Sequence, residues 1–384
     1  MFGIISMEKS LENEEIIFRK LQEHIDHMPV GFPRSKTGLD IKILKQLFTI
    51  DEANVALELS MLPESLKRIY PRLKKYGYSM DQAGNILDTM IGKGIIFGRK
   101  KKYYSKLQYA IGIFEMQGGR LTRPLAEDCK EYGIRDFKNE FIKKNVPAQI
   151  RTIPVGRSII RENFTDTYDN IRDLIMNTKG DIVIHNCVCR EGLDLLGKPC
   201  KVSDLRETCI ALKGIAKSLI RAGKGRVVTR SEMFALLDEF EKAGFVLQPE
   251  NCRQPELICC CCGCCCGVIT MLKQFPRPAD HYTSNYYAAV DTSLCIGCAS
   301  CEKRCQVNAV SVDAEKAFVD TGRCIGCGLC SSGCPAGAIT LQKKARVKVP
   351  PPDHKKLYSK ILKKKLGTFN YAKVAIKYML GIKV

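Results

Sequence analysis

The sequence predicts a multi-domain α+β protein, and three observations carry this prediction. The chain has 384 residues, which is enough for two or three domains with cores of their own. Its first third shows the apolar periodicity of helices, followed by two short runs typical of strands. Its cysteines are concentrated elsewhere, because 20 of the 21 lie after residue 186.

The cysteines predict metal binding rather than disulfides. Seven of them occupy the eight residues 259–266, which read CCCCGCCC, and neighbouring cysteines rarely reach disulfide geometry. A chain of this length is also unlike the small secreted proteins that disulfides hold together. We see no signal-peptide cleavage site, and no apolar run approaches the ~20 residues of a membrane-spanning helix. We therefore expect a cytoplasmic protein with reduced thiols.

The region 41–118 is predicted to contain three helices and a hairpin. Thr49 and Glu52 form a capping box at the start of one helix, and residues 95–115 read as two strands joined by a basic turn. This order resembles a winged helix-turn-helix domain, which makes DNA binding a hypothesis. The candidate recognition helix carries two aspartates and one lysine, which favours a docking role instead. The basic residues of the turn, candidates for nucleic-acid or partner binding, are Arg99, Lys100, Lys101 and Lys102.

The middle region is predicted to be a cysteine-rich α/β domain. A strand ends at the pair Cys187 and Cys189, and a helix is expected to begin near Cys209, where its free N–H groups would favour a thiolate. Arg190, beside the pair, is a candidate for balancing negative charge. The eleven candidate ligands here are Cys187, Cys189, Cys200, Cys209, Cys259, Cys260, Cys261, Cys262, Cys264, Cys265 and Cys266.

Eleven thiols exceed the four that one cluster needs, so we expect one or two additional iron–sulfur clusters and some unused cysteines. Neighbouring residues of a strand face opposite sides. One cluster therefore cannot use all of 259–262 unless the backbone kinks, which Gly263 and Gly267 would permit. Zinc, or a cluster with an open iron, remains an alternative for this region. Cys129 and Cys252 stand apart from every motif.

Two repeats near the C-terminal end carry the strongest pattern in the sequence. CIGCASCEKRC begins at Cys295 and CIGCGLCSSGCP begins at Cys324. Both have the C-x2-C-x2-C-x3-C spacing of bacterial two-cluster ferredoxins, and a short strand is expected after each. The region 286–342 closely resembles the dicluster ferredoxin domain, except that Gln306 stands where the pattern usually has proline.

This resemblance implies two [4Fe–4S] clusters, because the fourth cysteine of each run ligates the cluster of the other run. One cluster (cluster A) would use Cys295, Cys298, Cys301 and Cys334. The other (cluster B) would use Cys324, Cys327, Cys330 and Cys305. Together with the C-x-C-R segment at 187–190 and the CC-x-CCC stretch, the repeats resemble a group of uncharacterised iron–sulfur proteins of anaerobic bacteria and archaea.

The basic charge of the chain is concentrated in its tail. The formal net charge is +20, and residues 343–384 alone hold thirteen Lys or Arg and one acid. A lysine-dense amphipathic segment there predicts docking on an anionic membrane surface, at the inner face of the membrane, or on an acidic partner. The predicted segments are an N-terminal helix and linker (1–40), the winged-helix-like domain (41–118), a helical connector (119–180), the cysteine-rich domain (181–285), the ferredoxin domain (286–342) and the tail (343–384).

Electron transfer is the function that these patterns favour. The protein is expected to pass single electrons through two or more [4Fe–4S] clusters between a redox donor and a partner oxidoreductase in anaerobic metabolism. No glycine-rich nucleotide loop is visible, so no nucleotide or flavin is expected and electrons must come from a protein redox partner. Two alternatives stay open, a redox-sensing winged-helix DNA-binding regulator and a cluster-dependent reductase that acts on a small substrate.

Overall fold

The structure is a computed structural model that describes residues 2–99, 102–143, 146–158 and 167–384. The chain forms two compact units. We call them the N-terminal unit, which contains Met1–Val146 and Ser359–Val384, and the cysteine-rich unit, which contains Pro147–Tyr358. Helices and strands are mixed, as the α+β prediction requires. The finer division into six segments stays a prediction.

The N-terminal unit is mainly helical before residue 146. The predicted capping box of one helix is present, because the Thr49 hydroxyl accepts from the Glu52 N–H at 3.2 Å and the Glu52 carboxylate accepts from the Thr49 N–H at 2.9 Å. The described helices of this part are α1 (Phe2–Asp26), α2 (Leu39–Leu47), α3 (Ile50–Leu57), α4 (Leu66–Leu73), α5 (Met80–Lys93), α6 (Arg123–Tyr132) and α7 (Lys138–Phe141).

A three-stranded antiparallel sheet accompanies these helices. Its strands are β1 (Glu64–Ser65), β2 (Ile96–Arg99) and β3 (Tyr103–Lys106), in the order β1-β3-β2. Along the chain the order is α3, β1, α4, α5, β2, β3. Lys100, Lys101 and the side chain of Arg99 lie outside the described part of the chain, and Lys102 is exposed. The winged-helix resemblance stays a prediction.

The C-terminal residues are packed into the N-terminal unit. Helix α15 (His354–Met379) is interrupted at Gly367, whose φ of 78° is left-handed, and Ile361 and Leu362 on it are buried. The Lys383 ammonium donates to the Leu57 carbonyl at 2.8 Å. Docking of this basic segment on a membrane surface or a partner stays a prediction. None of the described helices combines the length and the apolar content that crossing a bilayer requires.

The cysteine-rich unit is built around a five-stranded antiparallel sheet in the order β6-β4-β5-β8-β7. Its strands are β4 (Ile182–Asn186), β5 (Glu207–Leu212), β6 (Arg226–Val228), β7 (Val246–Pro249) and β8 (Leu257–Cys261). The helices of this part are α8 (Ile171–Met176), α9 (Val188–Leu195), α10 (Lys213–Arg221), α11 (Arg230–Ala243) and α12 (Gly267–Leu272).

The expectation that a helix begins near Cys209 is wrong. Cys209 lies in β5, and α10 begins only at Lys213. Strand β5 pairs with β4 on one side and β8 on the other, and residues 208–212 are all buried. A short run that is apolar on both faces suits a central strand, and periodicity alone does not distinguish such a run from the first turn of a buried helix.

The two cysteine repeats follow this sheet along the chain. A strand follows each run, as predicted, and each of these strands has an antiparallel partner. The pairs are β10 (Val310–Asp313) with β11 (Lys316–Val319), and β12 (Ile339–Lys343) with β9 (Tyr286–Val290). Helices α13 (Ser300–Arg304) and α14 (Leu329–Ser332) begin within the two runs.

Lys106 is a buried cation that makes the stability of the N-terminal unit depend on pH. Its side chain is 5% exposed, and its ammonium donates to the His24 carbonyl at 3.2 Å. Burial, assisted by Lys383 and Lys365, lowers the pKa of Lys106 from 10.5 to about 7. Between these values the unfolded chain binds more protons than the folded one, so stability rises with pH across this window.

We expect Lys106→Met to raise the free energy of unfolding near pH 7 by roughly 2–4 kcal/mol, after subtraction of the lost hydrogen bond. The gain should shrink toward pH 10. Anaerobic thermal unfolding of the full chain at several pH values measures it, with Lys102→Met as the exposed control. Parallel pH profiles for the wild type and Lys106→Met would contradict the burial argument.

Candidate metal centres

Four of the eight repeat cysteines line one pocket. They are the residues expected to hold cluster A, Cys295, Cys298, Cys301 and Cys334. Three come from the first run and Cys334 is the last cysteine of the second run, so the fold brings the two runs together. The remaining lining is almost entirely apolar, which suits an inorganic cluster held by thiolates. Ligation by these four stays a prediction.

The other four repeat cysteines also lie near one another. Burial raises the pKa of the Cys327 thiol to about 12, and the neighbouring Cys305 and Cys324 add to the effect. Burial raises the pKa of the Cys330 thiol well above its usual value, and the neighbouring Cys327, Cys324 and Cys305 add to the effect. This arrangement disfavours four free thiolates and favours thiolates bound to metal, whose positive charge offsets their repulsion.

Backbone N–H groups donate to sulfurs of the four cysteines expected to hold cluster B. The Ala288 N–H donates to Cys324 Sγ at 3.4 Å, and the Ala309 N–H donates to Cys305 Sγ at 3.1 Å. Glycine makes part of this wrapping possible, because Gly326 has a φ of 65° and a Cβ there would lie 2.2 Å from the Tyr286 carbonyl oxygen. Such donors stabilise the negative charge of bound iron–sulfur clusters.

The eleven middle cysteines separate into two groups and one remaining residue. Alternation along β8 places Cys259 and Cys261 on one side of the sheet and Cys260 on the other. The four-thiol group consists of Cys200, Cys262, Cys264 and Cys265. The six-thiol group consists of Cys187, Cys189, Cys209, Cys259, Cys261 and Cys266. Cys260 belongs to neither.

The thiols of the six-thiol group are linked to one another by hydrogen bonds and charge interactions. Cys209 is the register partner of Cys259 across β5 and β8, and their thiols interact. Cys261 contacts both Cys259 and Cys266. Cys187 and Cys189 contact each other, and Cys189 is electrostatically coupled to Cys266. The sheet and the starts of α9 and α12 therefore direct these thiols into one region, where three of the six are buried and three are half-buried.

Two members of this group occupy helix N-cap positions. Cys187 precedes α9 and Cys266 precedes α12. The hydrogen bond from Cys189 lowers the pKa of Cys187 to about 6, against its burial, with help from the Arg190 N–H and the Arg190 charge. The role that the sequence suggested for Cys209 thus belongs to Cys187, since free N–H groups at a helix start stabilise a thiolate.

Arg190 lies beside both groups and is only 1% exposed. Its guanidinium donates to Cys200 Sγ at 2.8 Å, and its centre lies 4.2 Å from the Phe245 ring centroid. Burial opposes the charge, but Cys262, Cys187 and Cys200 together raise the pKa of Arg190. The side chain is thus a buried cation beside the thiols of both groups, and its charge-balancing role stays a prediction.

The four-thiol group is much more compact. Cys264 Sγ lies 3.4 Å from Cys262 Sγ, 3.6 Å from Cys265 Sγ and 3.7 Å from Cys200 Sγ, and all four sulfurs lie within 4.8 Å of one another. The hydrogen bond from Cys265 lowers the pKa of Cys262 to about 4, against its burial and with help from Arg190. The sequence offered no means of selecting these four from the eleven.

Gln306 explains why a glycine interrupts the seven cysteines. Its side-chain oxygen accepts from the Gly263 N–H at 2.7 Å, and a Cβ at Gly263 would lie 2.2 Å from the Gln306 carbonyl oxygen. Gly263 does not have a positive φ, so we attribute the glycine to close approach. The residue that departs from the ferredoxin pattern therefore joins the turn after Cys305 to the middle cysteines.

Residues 288–341 match a family model described as a 4Fe-4S dicluster domain. No curated protein and no solved structure matched the chain. The family match confirms an iron–sulfur domain at the C-terminal end, and the compact group of four cysteines supports metal binding elsewhere. The wider resemblance to proteins of anaerobes and the presence of additional clusters stay predictions.

We expect Gly263→Ala to disturb both cysteine-rich parts, because the new methyl group overlaps backbone atoms of Gln306. Overpacking of this kind costs about 1–3 kcal/mol, and the EPR signals of the reduced protein should change. Gly267→Ala is the matched control, since a Cβ there has no atom within 4 Å. Equal EPR spectra and equal unfolding temperatures for the two variants would show that the contact carries no constraint.

Proposed function

We propose that this protein is an iron–sulfur electron-transfer protein that exchanges single electrons with protein partners. The observation that supports this most directly is that the fourth cysteine of each run lies with the other run. Cys334 lies with the cysteines expected to hold cluster A, and Cys305 lies with those expected to hold cluster B. Bound there, each [4Fe–4S] cluster supplies a centre that takes up and releases one electron.

The surface around the four cysteines expected to hold cluster A suits the approach of a partner protein. Cys298 is exposed, and the neighbouring Leu294 and Ile296 are 52% and 66% exposed. Apolar side chains beside a partly exposed redox site suit a short-lived contact with another protein, because they gain from burial without a large interface. Cys324 and Cys330, which are expected to hold cluster B, are buried, and this suits a cluster that does not contact the partner.

We further propose a third [4Fe–4S] cluster in the six-thiol group. Four of these six thiols suffice, and the lowered pKa of Cys187 beside the buried Arg190 gives the charge pattern expected of a ligand site. The hydrogen bond between Gln306 and Gly263 joins the segment after Cys305 to this region. A redox donor and an acceptor oxidoreductase in anaerobic metabolism are the partner classes that such an extended carrier would serve.

A redox-sensing DNA-binding regulator is the second candidate. The order α3, β1, α4, α5, β2, β3 and the sheet order β1-β3-β2 favour it, because a helix pair followed by a hairpin suits binding to a duplex. Anisotropy titrations with duplex DNA at several salt concentrations separate the candidates. Tight, steeply salt-dependent binding that changes with reduction would favour the regulator.

We expect anaerobically purified protein to contain about twelve cluster irons and about twelve acid-labile sulfides, eight of each in the dicluster domain. EPR-monitored titration should show one-electron reductions. A total near eight would remove the third cluster, and colourless protein without sulfide would refute the electron-transfer proposal.

Cys298→Ala should remove the EPR signal of cluster A and perturb that of cluster B. Reduction of cytochrome c, used as a one-electron acceptor, should slow by about tenfold or more, or about 1.4 kcal/mol of barrier, because the variant lacks the exposed centre through which we propose that electrons leave. Cys129→Ala, a buried cysteine in the N-terminal unit, is the control. Unchanged spectra in Cys298→Ala would reject the assignment of Cys298 as a ligand.

A further inference from the structure

We propose that the four-thiol group, Cys200, Cys262, Cys264 and Cys265, binds a single tetrahedral metal ion, zinc or one iron, rather than an iron–sulfur cluster. The site would then be separate from the electron carriers. This proposal does not rest on the electron-transfer function, because it follows from the spacing of four sulfur atoms.

The sulfur–sulfur distances match one ion. A zinc–sulfur bond of about 2.3 Å and tetrahedral angles place the four sulfurs about 3.8 Å apart. The distances from Cys264 Sγ are 3.4 Å to Cys262, 3.6 Å to Cys265 and 3.7 Å to Cys200, and Cys200 Sγ is 3.6 Å from Cys262 Sγ. In a cubane each thiolate binds a different iron, so its four sulfurs must stand farther apart than this.

The four-thiol group is more compact than the other cysteine groups of the described residues. Within the described ranges, this is the only set of three or more His, Cys, Asp or Glu ligand atoms that all lie within 4.8 Å of one another. The eight cysteines of the dicluster domain do not reach that spacing, and neither do the members of the six-thiol group. The fold therefore distinguishes one compact tetrahedral set from cysteines spread around larger centres.

The ligand chemistry and the surroundings also suit a thiophilic ion. Four cysteines are the donor set typical of structural zinc and of single-iron sites. Cys262 and Cys265 are buried, so four thiolates around a divalent ion would leave excess negative charge in a region that excludes water. The Arg190 guanidinium, 2.8 Å from Cys200 Sγ, offsets part of that charge and fixes this ligand from outside the coordination sphere.

The position of the ligands indicates a structural role. Cys200 lies in the segment 198–206, which has no regular secondary structure, whereas the other three lie in the turn between β8 and α12. A single ion would fasten the segment to this turn. Cys266, the next residue, belongs to the six-thiol group, so the same ion would hold the turn that presents a ligand to the proposed third cluster.

The experiment compares metal and sulfide content in full-length protein produced anaerobically with both iron and zinc supplied. The double variant Cys200→Ser and Cys264→Ser removes two of the four ligands at half-buried positions. Cys252→Ala, a buried cysteine of the same unit outside both groups, is the control. We expect the double variant to lose about one zinc or one iron per chain and no acid-labile sulfide, because the site contains no inorganic sulfur.

Loss of about four irons together with four sulfides would overturn the proposal in favour of a cubane. Unchanged metal content would overturn it as well. If the double variant does not fold, the metal site is measured spectroscopically in the wild type instead. Zinc-edge absorption showing four sulfurs at about 2.3 Å, or a Mössbauer component of one isolated iron, supports the single ion. Zinc bound by nitrogen and oxygen, or the absence of both signals, overturns it.

Because the readout is one ion without sulfide, failure of this proposal is distinguishable from failure of the electron-transfer proposal. If the electron-transfer proposal fails, the dicluster domain shows no sulfide and no EPR signal while the four-thiol group keeps its ion. The reverse result, intact cluster signals with no isolated ion, would reject only the tetrahedral site.

Discussion

The alternation of side chains along β8 is the constraint on which the arrangement of the cysteine-rich unit depends. Consecutive residues of a strand point to opposite faces of the sheet, so Cys260 points away from the side that holds Cys259 and Cys261. The strand ends at Cys261, and the following turn returns Cys264 and Cys265 toward Cys262. A sequence that reads as one block of thiols thereby becomes two spatially separate groups.

Charge is the second requirement of such a unit. Thiolates repel one another, and burial raises the cost of each charge. Three features of the unit offset this negative charge. The Arg190 guanidinium is buried beside the thiols, helices start at Cys187 and Cys266, and backbone N–H groups donate to Cys305 and Cys324. These groups come from elements that are far apart along the sequence, so only the folded chain brings them to the thiols.

The sequence predicted those features that depend on local spacing. The repeats at Cys295 and Cys324 have a spacing that permits few other structures, and the capping box at Thr49 requires only four neighbouring residues. The prediction of a helix near Cys209 was wrong because the four-residue apolar run 209–212 fits a central strand equally well. The partnership of Gln306 with Gly263 and the selection of Cys200 for the compact group depend on contacts between distant residues, which no local pattern encodes.

The N-terminal unit is discontinuous, because Met1–Val146 is completed by Ser359–Val384. Residues near the end close it directly, since the Met61 N–H donates to the Val384 carbonyl at 2.8 Å. During synthesis, this unit therefore stays incomplete until the whole cysteine-rich unit has left the ribosome. All the thiols of the cysteine-rich unit are therefore synthesised before the last segment of the N-terminal unit.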